Sequence, residues 1–435
     1  MTTPRPSAPP SDQPTTDGQG VLIVGAGIGG LALAAGLRRQ GFDVRVLDRD
    51  TDLTATGGYH ITLDDRAQAA LRELVPPPVF ERMLASASAL RLRQRDAFWD
   101  RRGRLIGHGP ELGSDRSVDI DRITLRLLLA EAVGDTLELG RGVTGVGRDQ
   151  QGPYAILSDG TRIRTDLLVG ADGTHSVVAR HLAGGPTNAP AGIIGFSWRT
   201  RLDALSASEQ RRLGPRSSLA VGPHGAALYV GFLDPVGRGV LDAPDLSASV
   251  TTGPTYIWGA MFPESSRTEV FRGLTGPALR DRLLARFREQ GWSDKPLEVI
   301  ERTDPASVGV FRFHAAATRP QQLAPWPAGP ITALGDAVHA TPPTAGMGAG
   351  AAIRDAHSLL QQLVEVRDRR VSLAVAVSAY EADLRLRGSE VVTLAMRTVR
   401  GILATDTPVG AALTAAALPV LAAAHLRQSR TRPRA

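Results

Sequence analysis

The first clear pattern of hydrophobic positions covers the segment from Val21 to Leu47. Val21–Val24 is an apolar, β-branched run of the kind that forms a buried parallel strand. An Ala- and Leu-rich helical pattern follows from Ile28 to about Gln40, and Val44–Leu47 is a second apolar run. Strand, helix and strand in this order predict a β-α-β unit, which is typical of α/β folds with a parallel sheet.

Similar strand patterns return later in the chain, on either side of a different texture. Apolar runs lead into Gly-Ala-Asp-Gly around Asp172 and into Leu-Gly-Asp around Asp336. Between them, from Ile193 to Pro263, short β-like runs with many aromatic residues predict a mainly antiparallel sheet. Helical patterns fill Val371 to Leu403. We therefore predict an α/β fold in which a Rossmann-like domain is interleaved with a β-sheet domain and followed by C-terminal helices.

Shorter elements are predicted from local signals. Ser158-Asp159-Gly160 lies between two strand-like runs and indicates a hairpin. A helical pattern runs from Thr62 to Leu74, whereas Leu90–Phe98 and Leu105–Gly107 resemble short strands. The stretch Val409–Leu426 is rich in alanine and contains a proline, so we expect a tail helix packed on the body rather than a membrane span.

Three glycines after the first strand have the spacing GxGxxG. Gly25 permits a tight turn, Gly27 lets the backbone approach a pyrophosphate, and Gly30 lets helix and strand pack closely. The helix that begins at Ile28 would direct unpaired N–H groups at the phosphates. Asp48, at the tip of the second strand, can accept a hydrogen bond from an adenosine ribose. Together these features predict dinucleotide binding.

Two further aspartates stand where predicted strands end. Asp172 and Asp336 could each be a turn residue, as Asp-Gly and Gly-Asp pairs often are. However, open α/β sheets bind ligands at the carboxyl ends of their strands, and this favours a cofactor contact for both. Gly346, Gly348 and Gly350 follow Asp336 and would let backbone N–H groups approach a ligand; the plain alternative is a flexible loop.

Composition excludes several classes of function. The chain has no cysteine, which rules out disulfides, thiolate metal sites and reductases with a redox-active cysteine pair. The net charge of +6 comes from arginine, with Lys295 as the only lysine, and no nucleic-acid-binding motif is present. Met1–Gly20 lacks the apolar core of a secretory signal, so we expect a disordered leader and a cytoplasmic protein.

The histidines and serines provide no complete catalytic or metal-binding motif. The nine histidines do not fall in HxH or HExxH spacing, and no GxSxG elbow is present. His60, His175 and His339 could each act as a base, although a structural role is the default for a histidine. We retain His60 as a weak catalytic candidate because it follows a glycine pair.

Taken together, three motifs resemble those of a known family. They are VGAGIGG followed by Asp48-Arg49, VGADGTHS around Asp172, and LGDAVHATPPTAGMGAG around Asp336. This trio resembles the FAD-dependent aromatic hydroxylases, the group A flavoprotein monooxygenases with the para-hydroxybenzoate hydroxylase fold. The run from Asp121 to Arg126 makes the chain most similar to the branch of tetracycline-inactivating and antibiotic-tailoring monooxygenases.

The resemblance implies which residues contact FAD. Those near the pyrophosphate would be Gly25, Gly27, Ile28 and Gly30, and those at the adenosine end Asp48 and Arg49. The remaining contacts would be Arg122, Asp172 in a motif shared by FAD and NAD(P)H, Asp336 at the ribityl or pyrophosphate group, and Pro343, Gly346, Met347 and Gly348 beside the isoalloxazine. The chain departs from the family pattern at three positions, Asp48 for the commoner Glu, Ala179 for an arginine with Arg180 one place late, and Gly350 for a frequent asparagine.

The resemblance also implies a reaction. NADPH or NADH would reduce FAD, and the reduced flavin would capture O2 as a C4a-hydroperoxide that hydroxylates an aromatic or polycyclic, polyketide- or antibiotic-like molecule. His60 or Thr62 could orient this substrate. Aromatic residues of the middle section are candidates for the substrate walls or plain core residues, namely Phe196, Trp198, Tyr229, Tyr256 and Trp258. We expect a monomer or homodimer without stable membrane insertion.

Other functions are compatible with the same motifs. Baeyer–Villiger oxygenation would use the same flavin intermediate, and a flavin-dependent reductase of isoprenoid double bonds would use the same cofactor site. A flavin-dependent halogenase needs a lysine between the flavin and the substrate, and only Lys295 is available. A non-catalytic escort protein would keep the nucleotide site for structure alone.

The order of these signals predicts the following domain limits. We expect a leader at 1–19, an FAD-binding domain from 20–75, 101–185 and 320–370, a substrate-binding β-sheet domain from 76–100 and 186–319, and a helical segment at 371–435.

Overall fold

The structure is a computed structural model that describes residues 20–431 except 55, 58 and 305–308, so the predicted leader at 1–19 lies outside the described residues. The β-strands are Gly20–Val24 (β1), Asp43–Leu47 (β2), His60–Leu63 (β3), Ala87–Ala89 (β4), Ala97–Trp99 (β5), Leu105–His108 (β6), Val118–Asp121 (β7), Leu137–Glu138 (β8), Val143–Asp149 (β9), Gly152–Leu157 (β10), Arg162–Arg164 (β11), Leu167–Gly170 (β12), Asn188–Arg201 (β13), Ser218–Val221 (β14), Ala227–Leu233 (β15), Thr255–Pro263 (β16), Gly309–Ala316 (β17) and Ile331–Ala333 (β18). The α-helices are Ile28–Arg39 (α1), Asp65–Leu74 (α2), Pro77–Ala85 (α3), Arg122–Val133 (α4), Val177–Ala183 (α5), Ala207–Leu213 (α6), Gly276–Glu289 (α7), Asp294–Glu301 (α8), Asp336–His339 (α9), Gly348–Arg367 (α10), Leu373–Ala404 (α11) and Pro408–Thr431 (α12).

A five-stranded parallel sheet forms the centre of the predicted nucleotide-binding region. Its strand order is β18-β12-β1-β2-β8, and every neighbouring pair is parallel. Successive residues of β1 face opposite sides: Val21 and Ile23 pack with α1, α4 and α10, whereas Leu22 and Val24 pack against the β9–β11 sheet and α5. Because both faces are covered, the strand reads as a continuous apolar run. The α/β fold with interleaved sheets is confirmed.

A seven-stranded sheet forms the second main layer, with order β17-β13-β16-β15-β14-β5-β6 and antiparallel pairing except between β14 and β5. Its back face packs on α7 and α8 and carries alternate residues such as Trp258 and Phe262. Its front face carries the residues between them, such as Met261, and packs on α11. A small sheet of order β3-β7-β4 lies beside it.

Several predicted boundaries differ from the structure. The helix expected from Thr62 begins only at Asp65, because His60–Leu63 pairs with β7 and Asp64 caps α2 by accepting a hydrogen bond from the Ala67 N–H. Leu90–Leu92 is a 3₁₀ turn rather than a strand. The domain limits stay a prediction, but Leu105–His108 pairs with β5 in the seven-stranded sheet, although we assigned 101–185 to the FAD-binding domain.

The two C-terminal helices, α11 and α12, both contact strands of the seven-stranded sheet. Helix α11 contacts β13 and β17, and α12 packs against β6 while exposing Val409, Leu413 and Val420. Within the described residues, α11 and Pro408–Val420 together have the length and composition of a membrane span. The angle between these two segments is 92°. No described helix qualifies alone.

Candidate active site

Two glycines at the junction of β1 and α1 leave no room for a side chain. Gly25 adopts a φ of +107° and donates its N–H to the Leu47 carbonyl at 2.7 Å. A Cβ at Gly25 would lie 2.4 Å from the Ala171 carbonyl oxygen. A Cβ at Gly30 would lie 2.2 Å from the Gly25 carbonyl oxygen. Helix α1 therefore packs on the strands at a distance that only glycine permits.

Gly27 serves a different purpose in the same turn. It precedes α1 in extended conformation, and the nearest atom to a Cβ there would be the Ala171 oxygen at 3.7 Å. The first turn of α1, beginning at Ile28, has neither an acidic residue nor a side-chain cap. This uncapped helix N-terminus fits a pyrophosphate, because no side chain caps the helix and no acidic residue lies in its first turn.

Asp48 holds the glycine turn with its own carboxylate. Its Oδ2 accepts the Ala26 N–H at 2.5 Å and its Oδ1 accepts the Asp50 N–H at 2.8 Å. Arg49 beside it is exposed. The carboxylate has thus a structural role in the turn, and the ribose contact of Asp48 and Arg49 stays a prediction.

Arg126 is a site residue that sequence reasoning missed. The side chain is buried and donates from Nε to the Ala26 carbonyl at 2.9 Å and from Nη1 to the Leu53 carbonyl at 3.0 Å. Its Nη2 donates to Asp50 Oδ2 at 3.1 Å and lies 3.6 Å from Asp48 Oδ2. An available signal was its position one helical turn after Arg122, among the apolar residues of α4.

Arg122 lies at the start of α4, one residue after the helix cap. Asp121 accepts hydrogen bonds from the N–H groups of Ile123 at 2.8 Å and Thr124 at 3.3 Å. Arg122 Nη1 donates to the Tyr59 hydroxyl at 3.0 Å, and the guanidinium lies 5.1 Å from the centre of the Tyr59 ring. The cap therefore fixes the direction in which the Arg122 side chain leaves the helix.

Asp336 begins α9, directly after β18. Its Oδ1 accepts the Thr341 N–H at 3.3 Å. Burial raises the pKa of Asp336, and the positive charges of His339 and Arg122 oppose that rise. Arg122 and Asp336 thus lie close enough for their charges to interact, and the contact of each with FAD stays a prediction.

The predicted isoalloxazine loop follows Asp336. Pro343 opens a 3₁₀ turn, Gly346 closes it with a φ of +65°, and Met347 precedes α10 without a side-chain cap. A Cβ at Gly348 would lie 3.8 Å from Asp336 Oδ1. We call Pro343–Gly348 the cradle loop. Its helix N-terminus stands next to Asp336, in a position to approach the same ligand.

Asp172 follows β12 and is hydrogen-bonded to the start of α5. Its Oδ1 accepts the Ser176 hydroxyl at 2.5 Å and its Oδ2 accepts the Val177 N–H at 2.6 Å, so the carboxylate caps α5. Burial raises the pKa of Asp172 despite these hydrogen bonds. Its contact with FAD or NAD(P)H stays a prediction. Ala179, where the family carries an arginine, is fully buried, and Arg180 is exposed.

A buried polar network surrounds His60. His60 Nε2 lies 3.2 Å from the Tyr229 hydroxyl and 3.6 Å from Asp119 Oδ2. Asp119 also accepts hydrogen bonds from Thr62 Oγ1 at 2.6 Å and from Arg93 Nη1 at 2.7 Å. We call these five residues the His60 network. Burial raises the pKa of Tyr229 to about 12, so its hydroxyl stays protonated at neutral pH.

The two faces of the seven-stranded sheet separate the aromatic candidates. Tyr229 lies on the front face, near Met261 and Phe313. The other four candidate wall residues belong to the back-face core against α7 and α8: Phe196, Trp198, Tyr256 and Trp258. The core interpretation is therefore correct for these four, and only Tyr229 remains a candidate wall residue.

Comparisons with known proteins agree with this geometry. The family model described as "FAD binding domain" matches residues 19–211 and 241–395, which is most of the chain. The chain belongs to the FAD-dependent monooxygenases of the aromatic hydroxylase family. It is similar to the FAD-dependent monooxygenase cctM of Talaromyces islandicus, with 28% identity over 88% of this chain and 92% of that protein. It is also similar to the aurachin C monooxygenase/isomerase of Stigmatella aurantiaca, with 30% identity over 83% and 84%.

Solved structures of other monooxygenases share the fold. HpxO of Klebsiella pneumoniae, solved in complex with FAD and uric acid, superposes with a TM-score of 0.72, 22% identity and coverage of 93% of both chains. The 2,6-dihydroxypyridine-3-hydroxylase of Arthrobacter nicotinovorans gives a TM-score of 0.70 at 18% identity, over 89% of this chain and 94% of that one. The cofactor of this monooxygenase is therefore FAD.

His60 gives this flavoprotein a testable dependence of stability on pH. Burial lowers the pKa of His60 and outweighs the carboxylates of Asp119 and Asp121, which raise it against the smaller opposing effects of Arg93 and Arg199. The unfolded chain binds the proton near pH 6.5 and the folded chain only at lower pH, so stability falls as the pH decreases below 6.5. Between pH 7.5 and 5.5, the free energy of unfolding should decrease less in His60→Gln than in the parent protein, by up to about 1.4 kcal/mol. Urea unfolding at both pH values measures this, and equal losses would contradict it.

Proposed function

We propose that this FAD-dependent monooxygenase uses NADPH or NADH and O2 to hydroxylate an aromatic or polycyclic small molecule. The family establishes the flavin and the reaction class, and the substrate class and the source of electrons are our proposal. Two relatives support an aromatic ligand: one is named for aurachin C, and one was solved with FAD and uric acid. These ligands are properties of those proteins.

The observation that carries the proposal is a polar path from the cradle loop to the front face. Thr62 Oγ1 lies 3.7 Å from the place where a Cβ on Gly346 would stand, and it donates to Asp119. Asp119 lies beside His60, which contacts the Tyr229 hydroxyl on the front face. A substrate beside the flavin would therefore meet the polar groups of this network on one side and apolar residues of the front face on the other.

Each part of the chain has a defined task in this proposal. The α1 N-terminus and Gly27 bind the pyrophosphate, while Arg122 and Asp336 bind the central part of FAD. The cradle loop supports the isoalloxazine. The His60 network orients a polar group of the substrate, and Met261, Phe311 and Phe313 exclude water. When bound, FAD would carry electrons from NADPH or NADH to O2 and so activate it, which no side chain can do.

The alternative reactions gain no support from the described residues. Lys295 belongs to α8 and lies near Gly103. Because α8 packs on the back face of the seven-stranded sheet, this lysine is unsuited to the role that a halogenase requires. Baeyer–Villiger oxygenation and flavin-dependent reduction would use the same site. They are distinguished by product mass and by anaerobic turnover.

The visible spectrum and NADPH or NADH oxidation of the purified protein test the proposal. We expect a yellow protein that oxidises NADPH or NADH faster in air with one member of a panel of phenols, quinolones and aromatic polyketides. The product should gain a single oxygen atom at an aromatic carbon. Turnover that proceeds without O2 would instead identify a reductase, and insertion of oxygen next to a ketone would identify Baeyer–Villiger chemistry.

A further inference from the structure

A buried carboxylate on α10 joins three separate elements behind Asp336. Asp355 is fully buried, and its Oδ2 accepts the Gly335 N–H at 3.0 Å and contacts His339 Nε2 at 2.6 Å. Its Oδ1 accepts a hydrogen bond at 2.8 Å from Nε of Arg387, a residue of α11. One side chain thus links the β18–α9 turn to two long helices. The FAD contacts described above do not include any of these groups.

Close packing around Gly335 and His339 leaves little space for these residues to move. Gly335 has a φ of +61°, and a Cβ there would lie 3.0 Å from the Ala352 Cβ. A Cβ at Gly388 would lie 2.8 Å from the His339 Cβ, so α11 rests directly on the histidine. Asp336 stands between Gly335 and His339, and both of these residues are hydrogen-bonded to the same carboxylate. The residues on both sides of Asp336 are therefore held by Asp355.

The charges in the cluster support one another. Burial alone would raise the pKa of Asp355, but His339 and Arg387 outweigh it and lower that pKa, so the carboxylate stays ionised. Burial likewise disfavours a charged His339, but Asp355 and then Asp336 raise the pKa of that histidine. The ionised carboxylate accepts stronger hydrogen bonds than a neutral amide would, which stiffens the turn.

We propose that Asp355, with His339 and Arg387, is a positioning cluster that holds Asp336 against the ribityl part of FAD, which ADP lacks. This inference rests on the proposed contact between Asp336 and FAD. Among the described residues, the hydrogen-bond partners of Asp355 do not include Asp48 or the β1–α1 turn, where the ADP part of FAD would bind. The contribution of the cluster to binding affinity should therefore depend on whether the ligand contains the ribityl and flavin part of FAD.

Comparison of FAD and ADP binding tests the proposal. Full-length protein stripped of flavin is titrated with FAD by quenching of flavin fluorescence and with ADP by calorimetry. We expect Asp355→Asn to weaken FAD binding by about 10- to 100-fold and to change ADP binding by less than about twofold. A general loss of folding would weaken both ligands equally, and that result would overturn the proposal.

Three further variants keep the test decisive. Arg387→Met keeps Asp355 and two of its donors, and we expect a smaller FAD-specific loss should Asp355→Asn fail to fold. Asp383→Asn removes the half-exposed acid that pairs with Arg387 Nη1 at 2.6 Å, and we expect unchanged affinity for both ligands. Asp336→Asn tests the proposed function itself. An FAD-specific loss in Asp336→Asn without one in Asp355→Asn or Arg387→Met would disprove the positioning cluster alone.

Discussion

Gly30→Ala is expected to give a protein that no longer retains FAD and is isolated without colour. The added Cβ would lie 2.2 Å from the Gly25 carbonyl oxygen and 2.9 Å from the Ala171 Cβ. The first of these contacts is far shorter than any non-bonded distance in proteins. Helix α1 must therefore move away from β1, and its N-terminus then no longer faces the pyrophosphate. We expect FAD affinity to fall by at least about 100-fold, which corresponds to about 2.7 kcal/mol.

A matched substitution controls for the change of residue type. Gly401 also lies within a helix, α11, and a Cβ there would meet no atom within 4 Å. Alanine is favoured over glycine in helices by about 1 kcal/mol, so Gly401→Ala should be at least as stable as the parent and bind FAD normally. Flavin absorbance per protein and fluorescence titration measure both variants. Equal flavin content in the two would show that close packing at Gly30 is not required.

Features that depend on local sequence were predicted well. The glycine turn, the β-α-β unit and the hairpin at Ser158–Gly160 arise from residues within about thirty positions, so the spacing of glycines and apolar residues specifies them. Gly25 and Gly30 are required for reasons that their spacing already indicates.

Features that depend on distant contacts were not predictable. Which sheet face carries Trp258 depends on the register of β16 against β13 and β15, which the alternation of residues alone does not define. Asp355 and Arg126 are charged residues in apolar helix patterns, and their partners lie up to a hundred residues away.

Arg126→Met is expected to lower the free energy of unfolding by about 3–5 kcal/mol, even in protein without FAD. The substitution leaves the Ala26 and Leu53 carbonyls without their donor and leaves Asp50 and Asp48 without the nearby positive charge. Methionine fills a similar volume, so the loss reports the polar contacts rather than a cavity. Urea unfolding of the flavin-free protein gives the value.

Arg122→Met provides the matched comparison, one helical turn away on α4. Arg122 is only partly buried and contacts the hydroxyl and ring of Tyr59, so we expect a loss below about 1 kcal/mol in flavin-free protein. Its effect should instead be on FAD, with affinity reduced by about tenfold. The two arginines of one motif would then have separate roles: Arg126 builds the turn that receives the cofactor, and Arg122 binds the cofactor itself. If both variants lost the same stability and the same affinity, that division would be wrong and α4 would act on the site as a single unit.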